Sequence, residues 1–407
     1  MRDPIIKYGF LQFKFFLITA IIFLFLWLLS ILPYNLALND PISNALIDFD
    51  AYDIVFSKMR PQVTPDTSIV IVNAGYLNRN LIAKALERIE KENPKVIGVD
   101  LLFSESDNNG DDSLLTSVIS GYNNCVVVNQ MSAFNEYTEA FDSIALPGIQ
   151  FKEKIKYGFA NLPSSGDESR RTVRDFIPLA IVGKDTAYSF AARIIGLYNY
   201  TALAKVTERG KAREPINFRR NISDPGYYFI NYDQALDTAI DLSVCKDKIV
   251  LLGFTGIDLQ TKTFEDIFFT PLNENYAGKS FPDMYGVVIH ANIISMINAN
   301  DYINELPFVL TLLIAFFICY TSIYLLHVIK LYYPNLYQAL SKIYILLLVI
   351  FYFFIAVYVF YLYNIKLNLT LTLISIFVLP SSIEIYENYL NPLIQKINPF
   401  NKKGVQI

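Results

Sequence analysis

Cysteine, tryptophan and histidine are all scarce: the 407 residues hold three, one and two of them. The cysteines include no close pair, so neither a zinc ribbon nor a disulfide framework fits. Charged residues make up only 18%, against about a quarter in an ordinary soluble domain. Basic excess is missing too. The formal net charge is −4 and the isoelectric point is near 5.4, which excludes a nucleic acid partner recruited by a basic face. What is abundant is apolar: 53% of residues are hydrophobic, with 28 Tyr and 31 Phe. Such a chain is neither disordered nor collagen-like. It contains no internal repeat and no low-complexity tract.

The apolar residues are concentrated in four blocks. Residues 15–32 carry no charge and follow Arg2, Lys7 and Lys14. A signal peptide is the alternative reading, but residues 30–34 make a poor cleavage site, and an uncleaved helix is expected. Residues 306–329 contain only His327 near their end, residues 343–363 are uncharged, and residues 367–383 are uncharged but broken by Pro380. A spanning helix takes about 20 apolar residues. The first three blocks reach that length, while the fourth is marginal, with a surface-lying or re-entrant segment as its alternative. The flanks of these blocks carry nine basic and three acidic residues, and basic loops stay cytoplasmic. Both termini are therefore expected inside and residues 34–305 outside, with only Lys366 on the wrong side. The outer stretch carries 35 acidic and 25 basic residues. The expected division is a cytoplasmic N-terminus at 1–14, transmembrane helices at 15–33, 306–329, 343–363 and 367–385, an outer domain at 34–305, and a cytoplasmic tail at 386–407. No carboxylate interrupts the main blocks, which argues against an ion pump or proton-driven carrier. The spans' tyrosines, Tyr352, Tyr358, Tyr361 and Tyr363 among them, suit interfacial belts and helix packing.

The outer stretch reads as α/β. Residues 68–73 form a β-branched run after Pro65-Asp66, and residues 81, 85, 86 and 89 recur at helical spacing before Pro94. Residues 95–103 are apolar but for Asp100. A short helix is expected over 111–119, with Asp111 or Asp112 as its cap, and a strand over 125–129. Strands without alternation, separated by helices, imply a mainly parallel sheet covered on both faces. Further strands are expected at 157–162, 176–182 and 248–253, and helices at 189–197 and 287–297. Residues 203–228 read as loop with edge strands.

Several of these segments, in order, resemble the CHASE2 extracellular sensory domain of bacterial membrane receptors. They are the strand of Pro94 to Phe103, the acidic Gly110-Asp111-Asp112, and the run from Gly158 through Asn161, Asp167, Arg170 and Arg171 to Pro178-Leu179. Ser189-Phe190-Ala191, Lys246 to Gly256 with Asp266 and Thr270-Pro271, and the His290-Ala291-Asn292 segment complete the set. The resemblance covers roughly residues 48–305. It implies an α/β sensory domain with one span before it and three after, in the inner (plasma) membrane. Two features depart from the pattern. The first strand ends in Asn73-Ala74-Gly75 where a carboxylate pair is usual, and Tyr76 to Arg79 replaces a Trp-Pro-Trp stretch. Family receptors usually continue into a kinase or cyclase, whereas 24 residues follow Ile383, too few for an output domain.

The candidate ligand-binding residues are Asp100, Glu105, Asp112, Arg171, Gly253, Thr255 and His290. Asp100 sits at the end of a parallel strand, where open α/β sheets place ligand groups. With Glu105, Asp107, Asp111 and Asp112 it has the oxygen chemistry of a divalent cation site; the alternative is a carboxylate satisfied by backbone donors beside a solvated loop. No other cofactor is expected. Gly253 to Gly256 follow a strand, so their amides are placed to receive an anion, although the Lys of a phosphate-binding loop is missing. His290 suits a base, a ligand or a packing hydrogen bond. No Ser, Asp and His spacing identifies a triad. Cys125 and Cys245 are either bridged, as an oxidising compartment permits, or two separate thiols. The leading expectation is a non-enzymatic sensory or interaction module, embedded in membrane lipids, taking a small ligand and relaying to a separate membrane or cytoplasmic protein. A structural scaffold of a cell-envelope complex and an outer-facing hydrolase are the alternatives.

Overall fold

The computed structural model describes residues 4–31, 50–60, 64–103, 110–135, 140–145, 155–162, 172–182, 185–222, 226–257, 263–273 and 281–393. They fall into two units: Asp53–Ile303, and Met1–Tyr52 together with Asn304–Ile407.

The first unit is built on a seven-stranded sheet of β1 (Asp66–Asn73), β2 (Val96–Asp100), β3 (Cys125–Asn135), β4 (Ala140–Ala145), β5 (Lys156–Phe159), β6 (Tyr227–Ile230) and β7 (Ile249–Gly253). The order is β6-β1-β7-β2-β3-β4, with β5 also paired to β3. Every pairing is parallel except β3 with β4. Residues 69–73, 96–99 and 249–253 are all buried, as expected of parallel strands covered on both faces. Val70, Val72, Ile97, Val99, Val250 and Leu252 pack in one core with helices α1 (Arg79–Lys91) and α2 (Gly110–Gly121). On the other face, Phe190 and Ile194 of α3 (Phe190–Tyr198) press against Gly98.

Local sequence explains most boundaries. Asn78 caps α1, accepting from the Leu81 amide at 2.9 Å, and Asn93, at φ 56°, turns the chain out before Pro94. Ser189 caps α3 in the same way. Residues 203–228 correct the sequence reading. Their start belongs to a helix, α4 (Tyr200–Arg209), capped by Asn199 and ended by left-handed Gly210. The expected strand over 176–182 is broken at Pro178, which lacks the N–H a ladder needs, into Asp175–Phe176 and Leu179–Val182. The strand expected over 157–162 ends at Phe159. The unit also contains α5 (Tyr232–Leu236) and α6 (Gly286–Ala299), the latter buried along nearly its whole length. Cys125 and Cys245 are buried free thiols, both pushed up to about 12 by burial.

Among its described residues the second unit contains four helices long and apolar enough to cross a membrane. They are Pro4–Ile31, Phe308–Tyr332, Tyr337–Tyr363 and Leu369–Ile385, the last continuing through a π turn at Tyr386–Leu390 despite Pro380. Phe15, Ile18, Ile22, Cys319, Ile323, Ile376 and Leu379 form its core. At one end Glu387 pairs with Lys14 at 3.3 Å and Lys330 at 2.5 Å. At the other, the turn joining the third and fourth helices gathers both chain links. The Tyr52 hydroxyl donates to the Leu367 carbonyl at 2.7 Å and accepts from its amide at 3.0 Å. The Asn304 amide bonds the Asn364 carbonyl, and the Leu306 amide the Lys366 carbonyl, each at 2.9 Å. Lys366, the one basic residue that breaks the charge rule, pairs with Asp50 at 3.2 Å and lies over the Tyr52 and Phe360 rings.

Candidate functional site

The carboxyl edge of the parallel sheet brings three chain segments into register. Asn73 of β1 lies beside Gly253 of β7, and Gly253 beside Asp100 of β2. Asn73 organises the loop after β7. Its side-chain oxygen accepts from the amides of Gly75 at 2.9 Å and Thr255 at 3.0 Å. Its side-chain nitrogen donates to the Gly256 carbonyl at 3.0 Å and the Asn231 side-chain oxygen at 2.8 Å. The amide expected to help receive an anion, Thr255 N–H, is therefore already bonded. Gly253 serves close packing: a Cβ there would come within 2.7 Å of the Val287 side chain, so only glycine lets the first turn of α6 approach the sheet.

His290 projects from that helix toward β2. Its Nε2 lies 4.0 Å from Asp100 Oδ2, and its ring meets Phe190 edge-on at 5.2 Å between centroids. The His290 Nδ1, the Thr255 hydroxyl and the Asn129 side-chain oxygen, all at this edge, are buried and have no hydrogen-bond partner among the described residues. A buried polar atom without a partner is costly. Asp266 completes the group. Its carboxyl oxygens stand against Gly286 at the start of α6, where a Cβ would come within 2.9 Å of both. The residue as a whole is exposed, but its carboxyl is turned inward.

The electrostatics follow from this placement. Burial pushes the Asp100 carboxyl well above the usual range. Burial, then the charge of Asp100, does the same to Asp266. Burial pushes His290 down to about 4, so the imidazole is neutral near pH 7. The desolvated carboxyl at Asp100 was expected to find donors. Instead, no hydrogen bond to it is present among the described residues, and the group is relieved by keeping its proton. Two carboxyls that favour their protonated forms, next to a neutral imidazole, can donate to an acceptor or release protons to a cation.

The remaining sequence candidates lie elsewhere. Asp112, in the first turn of α2, pairs with Arg79 of α1, and Asp111 accepts from Asn80 at 3.2 Å. Glu105, Asp107 and Arg171 lie outside the described residues. Among the described residues no group of three His, Cys, Asp or Glu side chains is placed to hold a metal ion. Sequence reasoning left Asn73, Asn129 and Asp266 out of the site. Asp266 was within reach, because it stands in one of the motif segments.

A family model for the CHASE2 domain matches residues 18–325. The chain belongs to the CHASE2 family. CHASE2 is a family of sensory domains. The match begins inside the first apolar helix and ends inside the second, so the CHASE2 match takes in the whole Asp53–Ile303 unit. No curated protein and no solved structure matches the chain. The CHASE2 reading also gives meaning to Asn73. Both its donor and its acceptor are used, and an aspartate could not supply the two donated bonds.

Proposed function

We propose that this CHASE2 protein is a non-enzymatic sensory module anchored in the plasma membrane. In this reading the Asp53–Ile303 unit lies outside the cytoplasm, and the four helices relay to a separate membrane or cytoplasmic protein. The observation that carries it is the Asp100, Asp266 and His290 group, whose protonation favours neutral forms and whose neighbours include unpartnered buried polar atoms. A small cationic or hydrogen-bonding ligand that enters this edge answers those needs, and binding a cation releases protons from the two carboxyls. His290 is not hydrogen-bonded to a Ser, Thr or Cys among the described residues, so no observation favours the hydrolase alternative. The outward orientation is supported by the basic residues that flank the apolar blocks on the side of both termini, Lys14, Lys330, Lys342 and Lys396 among them, since basic loops stay cytoplasmic.

Two measurements test the proposal. In a background with the native cysteines replaced, Lys246→Cys, at an exposed position, is expected to react with an impermeant maleimide on whole cells. Lys402→Cys is expected to react only after permeabilisation. Reversed labelling overturns the orientation. The intact protein in nanodiscs is then melted with Mg²⁺, Ca²⁺ and a panel of small amines. At least one is expected to raise the melting temperature in wild type and not in Asp100→Asn. No response to any of them rejects the cationic-ligand reading.

A further inference from the structure

The same unit has a second polar cavity at the opposite edge of its sheet. Asp66, the first residue of β1, lines it together with Arg219, Arg220, Asn292, Ser295 and Asp301, and its volume is about 520 Å³, within the range of small-ligand pockets. Helix α6 connects the two edges. Gly286 and His290 stand at its first turns, and Asn292 and Ser295 reach the cavity from its later ones.

The cavity is built rather than incidental. Asn292 is buried and clamps the Arg219-Arg220 backbone: its side-chain oxygen accepts from both amides, at 3.0 and 3.1 Å, and its nitrogen donates to the Arg220 carbonyl at 2.8 Å. The guanidinium of Arg220 is held by the Thr64 carbonyl at 3.0 Å and by Ser295 at 3.2 Å. Ser295 donates in turn to Asp66 at 2.5 Å. Arg219 pairs with Asp301 at 2.5 Å. Burial by itself would raise the Asp66 carboxyl. Bonds from Ser295 and Ser68 and the charge of Arg220 outweigh it and hold the group below the ordinary range. Two guanidiniums and two carboxylates therefore face one cavity, each fixed before any ligand arrives.

That charge pattern discriminates between ligand classes. An anion alone meets two carboxylates, and a cation alone meets two guanidiniums. A ligand with both signs a few ångströms apart meets a complement for each. We propose that this cavity binds a small zwitterion of the amino-acid type, its carboxylate read by Arg219 and Arg220 and its ammonium by Asp66 and Asp301. Guanidinium and carboxylate match in planar, paired geometry, and the volume leaves room for a side chain beyond the charged head. The site is separate from the carboxyl-edge group and stands whether or not that edge takes a ligand.

The test uses the full-length protein in nanodiscs. Each of the twenty common L-amino acids is titrated at up to 10 mM by melting shift and calorimetry, with acetate, methylammonium and glucose as probes of one charge or none. At least one amino acid is expected to bind saturably, and the three control probes to give no shift. Arg219→Gln is expected to weaken that binding at least tenfold. Ala299→Phe, which adds a bulky side chain at an exposed position on the cavity wall and removes no charged group, is expected to do the same and decides the matter if Arg219→Gln does not fold. Binding by none of the twenty, equal binding of acetate, methylammonium or glucose, or undiminished binding in Ala299→Phe overturns the assignment.

Discussion

Replacing Asp100 with Asn separates a carboxyl that keeps its proton from one that is simply buried in an ion pair. Asparagine has the shape of a protonated aspartate and cannot ionise. In the wild type, the folded state raises both Asp100 and Asp266, so it holds protons that the unfolded chain has released above ~4. Stability is then lost as pH rises toward the folded values, by about 1.4 kcal/mol per pH unit for each proton held. His290 acts in the opposite sense. Its folded value near 4 lies below the unfolded ~6.5, so its contribution is present above ~6.5 and is lost as pH falls through that window. Between about 4 and 6.5 the imidazole offsets one held proton. At about 6.5 the unfolded imidazole is still half charged, and its offset fades over the next pH unit. From pH 6.5 to 7.5 the wild type should therefore lose up to about 1.4 kcal/mol for each proton still held, less the fading imidazole contribution, and Asp100→Asn should remove one of these and the like charge facing Asp266. Urea unfolding of the intact protein at the two pH values measures the slope. The readout is reaction of a thiol dye with Cys125 and Cys245, which are buried, in a Cys319→Ala background. A wild-type stability that is flat or rising over this unit, or an identical slope in Asp100→Asn, would refute the reasoning.

Three further outcomes are expected from single substitutions. Asn73→Asp sets a carboxylate oxygen against the Gly256 carbonyl and the Asn231 oxygen, and should cost about 2–3 kcal/mol at pH 7, less at pH 4, by the same unfolding assay. Glu214 is fully buried and paired with Arg209 at 2.5 Å and, more loosely, with Lys211 at 3.7 Å; Arg209→Ala leaves only the longer contact and should lower stability by about 2–3 kcal/mol, short of the roughly 3–5 kcal/mol for a buried charge left with no partner. Gly98→Ala brings a Cβ within 2.6 Å of Ile194 and 2.8 Å of Phe190, an overpacking worth about 1–3 kcal/mol, visible as a lower urea midpoint with an unchanged slope.

The parallel sheet was legible because its strands are buried on both faces and leave continuous aliphatic runs, as in residues 69–72 and 249–252. The four apolar helices were legible from length alone. The helix at Tyr200–Arg209 was not, because its exposed Lys205 and Glu208 resemble a loop and its ends are set by Asn199 and Gly210, which also suit turns. Asp100 and His290 could be singled out as polar residues in apolar surroundings. Their pairing could not, since residues 190 positions apart meet only once α6 lies across the sheet. Gly253 looked like an anion loop, and only the position of Val287 shows that its missing side chain makes room for a helix. Asn73 looked like a lost carboxylate, yet its amide satisfies four partners at once.

The turn between the third and fourth apolar helices has a mechanical consequence. The chain passes between its two units only at Tyr52–Asp53 and Ile303–Asn304, and Tyr52 and Asn304 are both bonded to that one turn. A tug on either link is shared at once with a pair of helices it is not covalently joined to. Within the helical unit the two tethers are therefore not independent of each other: both are pinned to the same short turn.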